Sequence, residues 1–341
     1  MKSLDVLRRA VLWTSAATLL LLLSPLSPAG SAQSVSLTLV STAWPPFTNA
    51  PGQPRFALDL VEAALGRIGL TSKTTIVSAA EFTPALLGGQ FDGSGAAWKD
   101  AERERVLLFS QPYLENRLVL VGPHGSDVSA KTLTDLKGKR VAIVEGYSYG
   151  DTIDSAGPVF VRSSSEEDSL SRLLKGSVDY TLTDELVVNY MVINYPKESA
   201  ARLQIGSTPL VTRELYFAVT RTRADAESII TRFNSQLRGM ISDRTYHRLL
   251  HVDWMRADIN GDGVPEYVPL NDRTGPTEPQ HIYTLFSEPQ TTSAKEPAKP
   301  GFYIGGNIYS DWASVPASYK DVNPQPPDAR RSTASIFKFS W

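Results

Sequence analysis

Apolar strand-like runs alternate with amphipathic helical patterns from Ser34 to about Trp254, and this alternation restricts the fold more than any other feature. It is typical of α/β folds, in which helices cover a largely parallel sheet. The clearest helix is Phe56–Ile68, which has one apolar face and is followed by Gly69 as a stop. Strands are predicted at Val35–Val40, Leu118–Val121, Arg140–Val144, Val178–Leu182 and Leu215–Thr220, and further helices at Asp168–Leu174, Asp184–Ile193, Ala224–Met240 and Ser242–His251.

One short pattern occurs twice within this region. Leu86–Asp92 (LLGGQFD) resembles Leu173–Asp179 (LLKGSVD). In each copy a helix should end, a glycine should take the left-handed conformation, and a strand should follow. Two copies so far apart indicate two similar lobes, although junctions of this kind are common enough to recur by chance.

The N-terminal segment, residues 1–32, has the pattern of a signal peptide. Lys2, Arg8 and Arg9 precede an apolar run over Ala10–Leu23, and small residues lead to an expected cleavage after Ala32. The apolar run is short for a membrane anchor, which needs about 20 apolar residues. We therefore expect export across the inner membrane to the periplasm.

Composition excludes several classes of function. The chain has no cysteine, which excludes disulfides, thiolate metal sites, a cysteine nucleophile and a lipidated-cysteine anchor. With 34 basic and 36 acidic residues, nothing attracts the chain to nucleic acid or to an anionic membrane. The length left after cleavage, about 310 residues, indicates two domains.

Residues 255–341 differ in character from the rest. Eleven of the 23 prolines lie beyond Val264, and the helical and strand periods disappear, yet aromatic residues are scattered throughout. A solvated linker is poor in aromatics. We therefore predict an irregular C-terminal extension that packs partly on the body, with Thr291–Pro300 as its most linker-like part.

Six short motifs in order carry a family resemblance over Ser34–Trp254. They are Trp44–Phe47 (WPPF), Arg55–Leu60 (RFALDL), Gly89–Asp92 (GQFD), Ala101–Arg103 (AER) leading to Phe109–Tyr113 (FSQPY), Asp135–Val141 (DLKGKRV) and Val178–Asp184 (VDYTLTD). Together they resemble the family-3 extracellular solute-binding proteins, the polar amino-acid receptors of ABC transporters. The resemblance implies a type II periplasmic-binding-protein fold, with two Rossmann-like lobes joined by two crossover strands. Lobe 1 would comprise residues 33–120 and 210–254, and lobe 2 residues 121–209.

The resemblance also implies which residues bind ligand in the cleft between the lobes. An amino acid carries a carboxylate and an ammonium, and burying both requires a partner for each. Arg103 is expected to take the carboxylate and Asp184 the ammonium. Ser148 would lie at a helix N-terminus, where backbone N–H groups can bind an anion. The rings of Trp44, Phe47 and Phe56 would enclose the ligand. Without the resemblance, Arg103 is a residue of a charged run and Asp184 a helix cap.

Two positions depart from the family pattern. Relatives usually carry small or hydroxyl residues five and seven positions before the arginine, where this chain has Trp98 and Ala96. A bulky ring therefore replaces a hydroxyl donor. Trp98 is expected to contact the ligand, the alternative being that it only fills the cleft wall. The departure loosens the expected ligand to an amino-acid-like solute.

The implied function is periplasmic binding of that solute by a monomer, with delivery to the membrane permease of an ABC transporter and no catalysis. Three alternatives stay open. One is a dehydratase on the same fold, with Glu145 as its acid or base. Another is a hydrolase, because Gly146–Gly150 (GYSYG) matches a nucleophile elbow centred on Ser148. The third is a sensor that feeds a signalling partner.

Two sequence patterns are candidates for metal sites. His247 and His251 have a spacing that can bind metal on a helix, but two ordinary surface histidines are the favoured interpretation. Residues 258–266 match a calcium loop, with oxygen donors from Asp258, Asn260, Asp262, the Val264 carbonyl and Glu266. The bidentate glutamate of an EF-hand is missing, since Pro269 stands at that position. We expect a structural calcium ion there, the alternative being an Asp/Asn/Gly turn that caps the last helix of the body. No cofactor for function is expected.

Overall fold

The computed structural model describes residues 36–147, 149–150, 153, 157–279, 282–286 and 300–320. The predicted signal peptide and Ser148 lie outside the described residues. Within these ranges, no helix combines the length and the apolar character that crossing a bilayer requires.

The described elements follow the alternation that the sequence predicts. The strands are β1 (Ser36–Thr42), β2 (Thr71–Val77), β3 (Gly93–Trp98), β4 (Leu107–Phe109), β5 (Leu114–Pro123), β6 (Arg140–Val144), β7 (Val159–Ser163), β8 (Tyr180–Asp184), β9 (Leu203–Thr220), β10 (Trp254–Ala257), β11 (Glu266–Pro269), β12 (Tyr283–Thr284), β13 (Phe302–Ile304) and β14 (Asn307–Tyr309). The helices are α1 (Phe56–Arg67), α2 (Ala79–Leu87), α3 (Ala101–Glu104), α4 (Glu166–Leu174), α5 (Glu185–Asn194), α6 (Pro196–Arg202), α7 (Ala226–Ser242) and α8 (Thr245–Leu250), with a 3-10 turn at Leu133–Leu136.

Two long strands join the lobes. β5 and β9 pair antiparallel from Leu114 opposite Leu215 to Pro123 opposite Leu203. On one side of this pair lie β2, β1 and β3, and on the other lie β8, β6 and β7, in one continuous sheet. The parallel pairs β1–β2, β6–β7 and β6–β8 give each lobe a Rossmann-like character. The predicted fold, two lobes with two crossover strands, is confirmed, and the predicted lobe boundaries fall inside β5 and β9.

Helix α1 shows how the sequence pattern becomes packing. Its buried positions are those of the apolar face, including Leu60, Val61, Ala64 and Leu65. Gly69, just beyond it, has a φ of +76°, a conformation that other residues rarely adopt. The helix therefore ends where the sequence predicts.

The repeated pattern also folds as predicted in both copies. α2 ends at Leu87 and α4 at Leu174, and Gly89 and Gly176 follow with φ values of +75° and +71°. Each glycine reverses the chain into a strand, β3 in lobe 1 and β8 in lobe 2. The two copies thus occupy equivalent junctions of the two lobes.

The C-terminal extension is more regular than its sequence indicated. Its described part contributes most of a five-stranded sheet in the order β12-β10-β11-β13-β14. Strands of two to four residues are too short to leave a period in the sequence, which is why irregular structure was predicted. The aromatic residues do pack: Phe302 lies between Trp254, Tyr267 and Trp312.

Residues 282–286 attach the extension to the body beside the crossover strands. Arg117 of β5 donates from Nη1 to the Thr284 carbonyl at 2.8 Å, and its guanidinium lies over the Tyr283 ring. Leu285 is fully buried in the main core. The extension therefore shares a core with the two lobes.

Replacing Leu285 with alanine should consequently destabilise the whole body. We expect the free energy of unfolding to fall by about 2–5 kcal/mol, the usual cost of removing a buried leucine side chain. Urea denaturation followed by tryptophan fluorescence measures the loss. Ile308→Ala, at a side chain that is 48% exposed, is the matched control and should change little. Equal stability of the two variants would contradict a shared core.

Candidate functional site

A pocket lies between the two lobes, beside the crossover strand β9. About 350 Å³ not filled by protein atoms lies in it, a volume that includes the open solvent at its mouth. Lobe 1 and its end of β9 contribute most of the wall, and Gly146 and Tyr147 contribute the side from lobe 2. The lining residues are Thr42, Trp44, Phe82, Ala96, Ala97, Trp98, Arg103, Gly146, Tyr147 and Leu215. Because both lobes line the pocket, a solute bound there would bridge them.

Four aromatic rings meet at this pocket, Trp44 and Trp98 from lobe 1 and Tyr147 and Tyr149 from lobe 2; we call them the aromatic cluster. The Trp44 ring lies 5.6 Å from that of Trp98 and 5.4 Å from that of Tyr147, measured between centroids. Trp98 in turn lies 5.4 Å from Tyr149. Tilted and edge-to-face contacts of this kind are the favoured geometry of aromatic pairs. The cluster therefore joins the lobes across the cleft. Phe47, fully buried, supports Trp44 from behind at 4.5 Å.

Arg103 lies in the pocket wall, on the short helix α3. Asp100 caps that helix by accepting the backbone N–H of Arg103, and its carboxylate also lies 3.4 Å from Nε. The guanidinium donates from Nη1 to the Trp98 carbonyl and from Nη2 to the Thr83 hydroxyl. Burial lowers the pKa of Arg103, since the charge has left water. Nε makes no hydrogen bond within the described structure and lies against the Asp100 carboxylate, so donor capacity remains on Nη1 and Nη2, each of which carries a second N–H.

Asp184 stands behind the pocket, where β8 ends and α5 begins. One carboxylate oxygen accepts the backbone N–H of Leu186 at 2.7 Å, so the residue caps the helix. The other oxygen accepts from the Asn116 amide at 3.1 Å, and Asn116 accepts from the Trp98 indole N–H at 2.7 Å. A hydrogen-bonded chain thus leads from the pocket wall to this carboxyl. Burial raises the pKa of Asp184 to about 7.

Glu166 is a second buried carboxyl on the lobe 2 side, and the sequence did not indicate it. It occupies the first turn of α4 and is only 8% exposed. Burial, together with the nearby Asp184 charge, raises the pKa of Glu166 to about 8. The Trp44 side chain opposes this rise as a hydrogen-bond donor to the carboxyl. Two buried carboxyls therefore share this side of the cleft.

The two raised carboxyl pKa values predict how stability depends on pH. In the unfolded chain both groups ionise near pH 4, whereas in the fold they hold their protons up to about pH 7 and 8. The contribution of the two protonated carboxyls to the free energy of unfolding is therefore complete below about pH 4. It is lost as the pH rises to about 8. Glu166→Gln should match wild type at pH 5 and exceed its stability at pH 8 by about 3 kcal/mol. Urea melts at the two pH values measure this, and parallel curves for both proteins would contradict it.

The structure brings together some of the predicted ligand residues and separates others. Trp44, Trp98 and Arg103 line one pocket, whereas Phe47 and Asp184 stand just behind it. Phe56 does not line the pocket: its ring packs on His251 at 5.6 Å. The role of Phe56 as a wall of the ligand site therefore stays a prediction that this pocket does not support. Ser148 lies outside the described residues.

The structure also adds residues that the sequence did not single out. Tyr147, Tyr149, Asn116 and Glu166 belong to the site or contact it. Arg213 of β9 lies over the Trp98 ring and donates to the Lys99 carbonyl at 2.9 Å. The Gly146–Gly150 segment contains both Tyr147 and Tyr149, but its match to a nucleophile elbow singles out only Ser148. Glu145, the residue proposed for a dehydratase, is exposed.

The two histidines serve packing in the described structure. His247 is fully buried, so its expected place on the surface is wrong; its Nε2 lies 2.8 Å from the Val268 carbonyl, at the sheet of the extension. Burial lowers the pKa of His247 to about 4. His251 ends α8 in a left-handed conformation against Phe56. Among the residues described, no three His, Asp or Glu side chains are grouped closely enough to hold a metal ion.

The calcium-loop sequence forms a tight turn closed by its own side chains. Asp258 accepts the backbone N–H groups of Gly261 and Gly263, and Asp262 accepts that of Val264. Asn260 accepts the Asp262 N–H, and Glu266 accepts that of Ile259. Burial raises the pKa of Glu266, and the nearby Asp262 and Asp258 add to the rise. The four side chains that would supply oxygen donors are close in space, but each already accepts a backbone hydrogen bond.

Comparison with known proteins identifies the class of protein. Residues 38–256 match the family model of the bacterial extracellular solute-binding proteins, family 3. The match covers more than half of the chain, which therefore belongs to this family and is a solute-binding protein.

Individual relatives agree with that assignment. ABC transporter arginine-binding protein 1 of Escherichia coli is 25% identical over 219 residues, which cover 62% of this chain and 86% of the relative. A mutant of ArgBP from T. maritima is 27% identical with a TM-score of 0.51, and the match covers 63% of this chain and 93% of that structure. The virulence sensor protein BvgS of Bordetella pertussis is 26% identical over 170 residues, 48% of this chain but only 13% of that protein.

Proposed function

We propose that this chain binds an amino-acid-like solute in the interlobe pocket and delivers it to the permease of an ABC transporter. The observation that carries the proposal is the pocket itself, lined from both lobes, with the Arg103 guanidinium in its wall and the Asp184 carboxyl behind it. The names of the relatives, ABC transporter arginine-binding protein 1 and ArgBP, support an amino acid as the solute.

The chemistry of the pocket fits the two ends of an amino acid. The guanidinium N–H groups of Arg103 that make no other hydrogen bond are suited to bind a carboxylate. A carboxylate such as that of Asp184 has about four acceptor positions, so an ammonium can be added to the two bonds it already accepts. The aromatic cluster supplies apolar area for the remainder of the solute.

Binding would act on the equilibrium between open and closed lobes. A solute held by residues of both lobes stabilises the closed state and leaves the open one unchanged, which is a population shift. The crossover strands β5 and β9 are the natural hinge, because no other described strands run through both lobes. We expect no turnover of the solute, and mass spectrometry of a bound amino acid before and after incubation tests this.

The location follows from the same proposal. Residues 1–32 act as a signal peptide, and the mature protein works in the periplasm as a monomer. Intact mass of the protein purified from the periplasmic fraction tests the cleavage after Ala32: a chain that still carries residues 1–32 would contradict it.

A sensing role is the second candidate, because BvgS is named as a sensor protein. Its distinguishing test is genetic: loss of the chain would change a ligand-dependent transcriptional response and leave solute uptake intact.

Calcium at residues 258–266 stays a prediction, tested by calorimetric titration of Ca²⁺ into chelator-treated protein; no heat and no change in melting temperature would reject it.

A further inference from the structure

The junction between β8 and α5, which carries Asp184, is held to the crossover strand β5 by two neighbouring contacts. Asn116 donates to the Asp184 carboxylate at 3.1 Å. Arg117, the next residue of β5, donates from Nε to the Glu185 carboxylate at 2.7 Å. Successive side chains of a strand point to opposite faces, so the two contacts hold the junction from different sides of β5. The position of the Asp184 carboxyl therefore depends on both.

Arg117 is itself held by the C-terminal extension. Its Nη1 donates to the Thr284 carbonyl at 2.8 Å, and its guanidinium lies 5.6 Å from the centre of the Tyr283 ring. The side chain is only 11% exposed. A guanidinium and an aromatic face attract each other more strongly where water is excluded. The extension thus supplies two of the contacts that fix the orientation of this arginine.

Residues 282–286, which we call the strap, are fixed in turn by the body of the protein. Within the strap, β12 pairs in parallel with β10. The backbone N–H of Leu285 donates to the Arg256 carbonyl at 3.0 Å, and the Leu285 side chain is buried in the main core. The Thr284 carbonyl is therefore a fixed acceptor for Arg117.

The strap comes close to Asp184 without lining the pocket. Burial raises the pKa of the Tyr283 hydroxyl, and the nearby Asp184 carboxylate adds to this rise. Neither Arg117 nor Tyr283 is among the residues that line the pocket. Any effect of these two side chains on a solute in the pocket must therefore act through Asp184 and the residues around it.

We propose that the strap positions Asp184 for the ammonium end of the solute, with Arg117 and Tyr283 as positioning residues. The C-terminal extension thereby sets the affinity of the site. This inference rests on the proposed function. Groups that are ordered before binding do not have to be ordered at the cost of affinity when the solute arrives. The strap lies outside residues 38–256, so the family model does not describe this control of affinity.

Calorimetric titration of the purified protein with each of the twenty amino acids identifies the tightest binder, which is then titrated into two variants. Tyr283→Leu keeps apolar volume in the core and removes the ring over the guanidinium. Arg117→Met keeps a long side chain and removes its N–H groups. Each variant should bind about 3- to 30-fold more weakly, the range for residues that influence a site without touching the ligand.

Arg140→Met is the matched control. Arg140 also donates to a carboxylate and to a backbone carbonyl, those of Asp179 and Ser177, but at the opposite end of β8. This variant should retain the wild-type affinity, because the contacts it loses do not hold the junction that carries Asp184.

The double variant Arg117→Met/Tyr283→Leu tests whether the two residues act through one contact. Because Tyr283 acts by holding Arg117, the double variant should bind no more weakly than Arg117→Met alone. A general loss of structure would instead give additive losses of affinity.

The outcomes separate this inference from the proposed function. Weaker binding by both single variants, with no further loss in the double variant, supports the inference. Wild-type affinity in Tyr283→Leu overturns the role of the strap, and so do additive losses or an equal loss in Arg140→Met; all three leave amino-acid binding intact. Absence of binding to all twenty amino acids overturns the proposed function, and the inference with it.

Discussion

Replacing Arg103 with alanine, or Asp184 with asparagine, is expected to abolish solute-induced thermal stabilisation. Each change removes the proposed partner of one charged end of the solute and leaves that charge buried and unpaired. Such a loss costs about 2–5 kcal/mol or more of binding free energy, which weakens the affinity by at least about 30-fold. At a solute concentration that saturates the wild type, the melting temperature of either variant should then hardly change.

The control for Arg103→Ala is Arg105→Ala, which removes an exposed arginine two residues along the same turn. It should retain the full stabilisation. Circular dichroism of each variant without solute establishes that the fold is intact. Wild-type stabilisation in both Arg103→Ala and Asp184→Asn would place the solute elsewhere.

Removal of the Trp98 side chain should have the largest effect on stability. The side chain is 5% exposed, contacts three rings of the two lobes, and donates its indole N–H to the fully buried Asn116. Trp98→Ala should therefore lower the free energy of unfolding by about 3–5 kcal/mol, through the cavity and the unpaired amide oxygen. Urea denaturation at pH 7 gives the value.

Trp98→Phe separates the two causes. It keeps a ring in the cluster and removes the N–H, so the loss should be about 1–3 kcal/mol, the cost of leaving the Asn116 oxygen unsatisfied. If Trp98→Phe is as stable as wild type, the hydrogen-bonded chain to Asp184 contributes nothing. If Trp98→Ala is as stable as wild type, the cluster does not hold the lobes together.

Much of the fold was predictable because most elements in the two lobes have one clear apolar face. Helix α1 and the two glycine junctions are examples, since their periods and stops are local. Strand β9 was predicted only from Leu215 onward, although it begins at Leu203. Pro209, Arg213 and Glu214 interrupt its apolar pattern, and its length is set by pairing with β5. Strand β2 was missed because it is polar and half-exposed at the edge of the sheet.

The site was predictable where a motif marks it and not where tertiary contacts make it. Arg103 and Trp98 were found through their place relative to family motifs. Glu166 lies in the run Glu166–Asp168, whose composition is that of a solvated helix start. Only the approach of Trp44 and Asp184 shows that its first member is buried. Asn116 was likewise inconspicuous, because its two hydrogen bonds join residues distant in the sequence.

The measurement that most directly tests binding of an amino-acid-like solute is a thermal-shift screen of the wild-type protein. The compounds are the twenty amino acids, each beside its decarboxylated and its deaminated analogue. At 100 times its dissociation constant a ligand stabilises by about 2.7 kcal/mol, which amounts to about 4 °C for a chain of this size. At least one amino acid should give such a shift, whereas both of its analogues, each lacking the partner of Arg103 or of Asp184, should give almost none. No shift with any amino acid, or an equal shift with the truncated analogues, would contradict the proposed site.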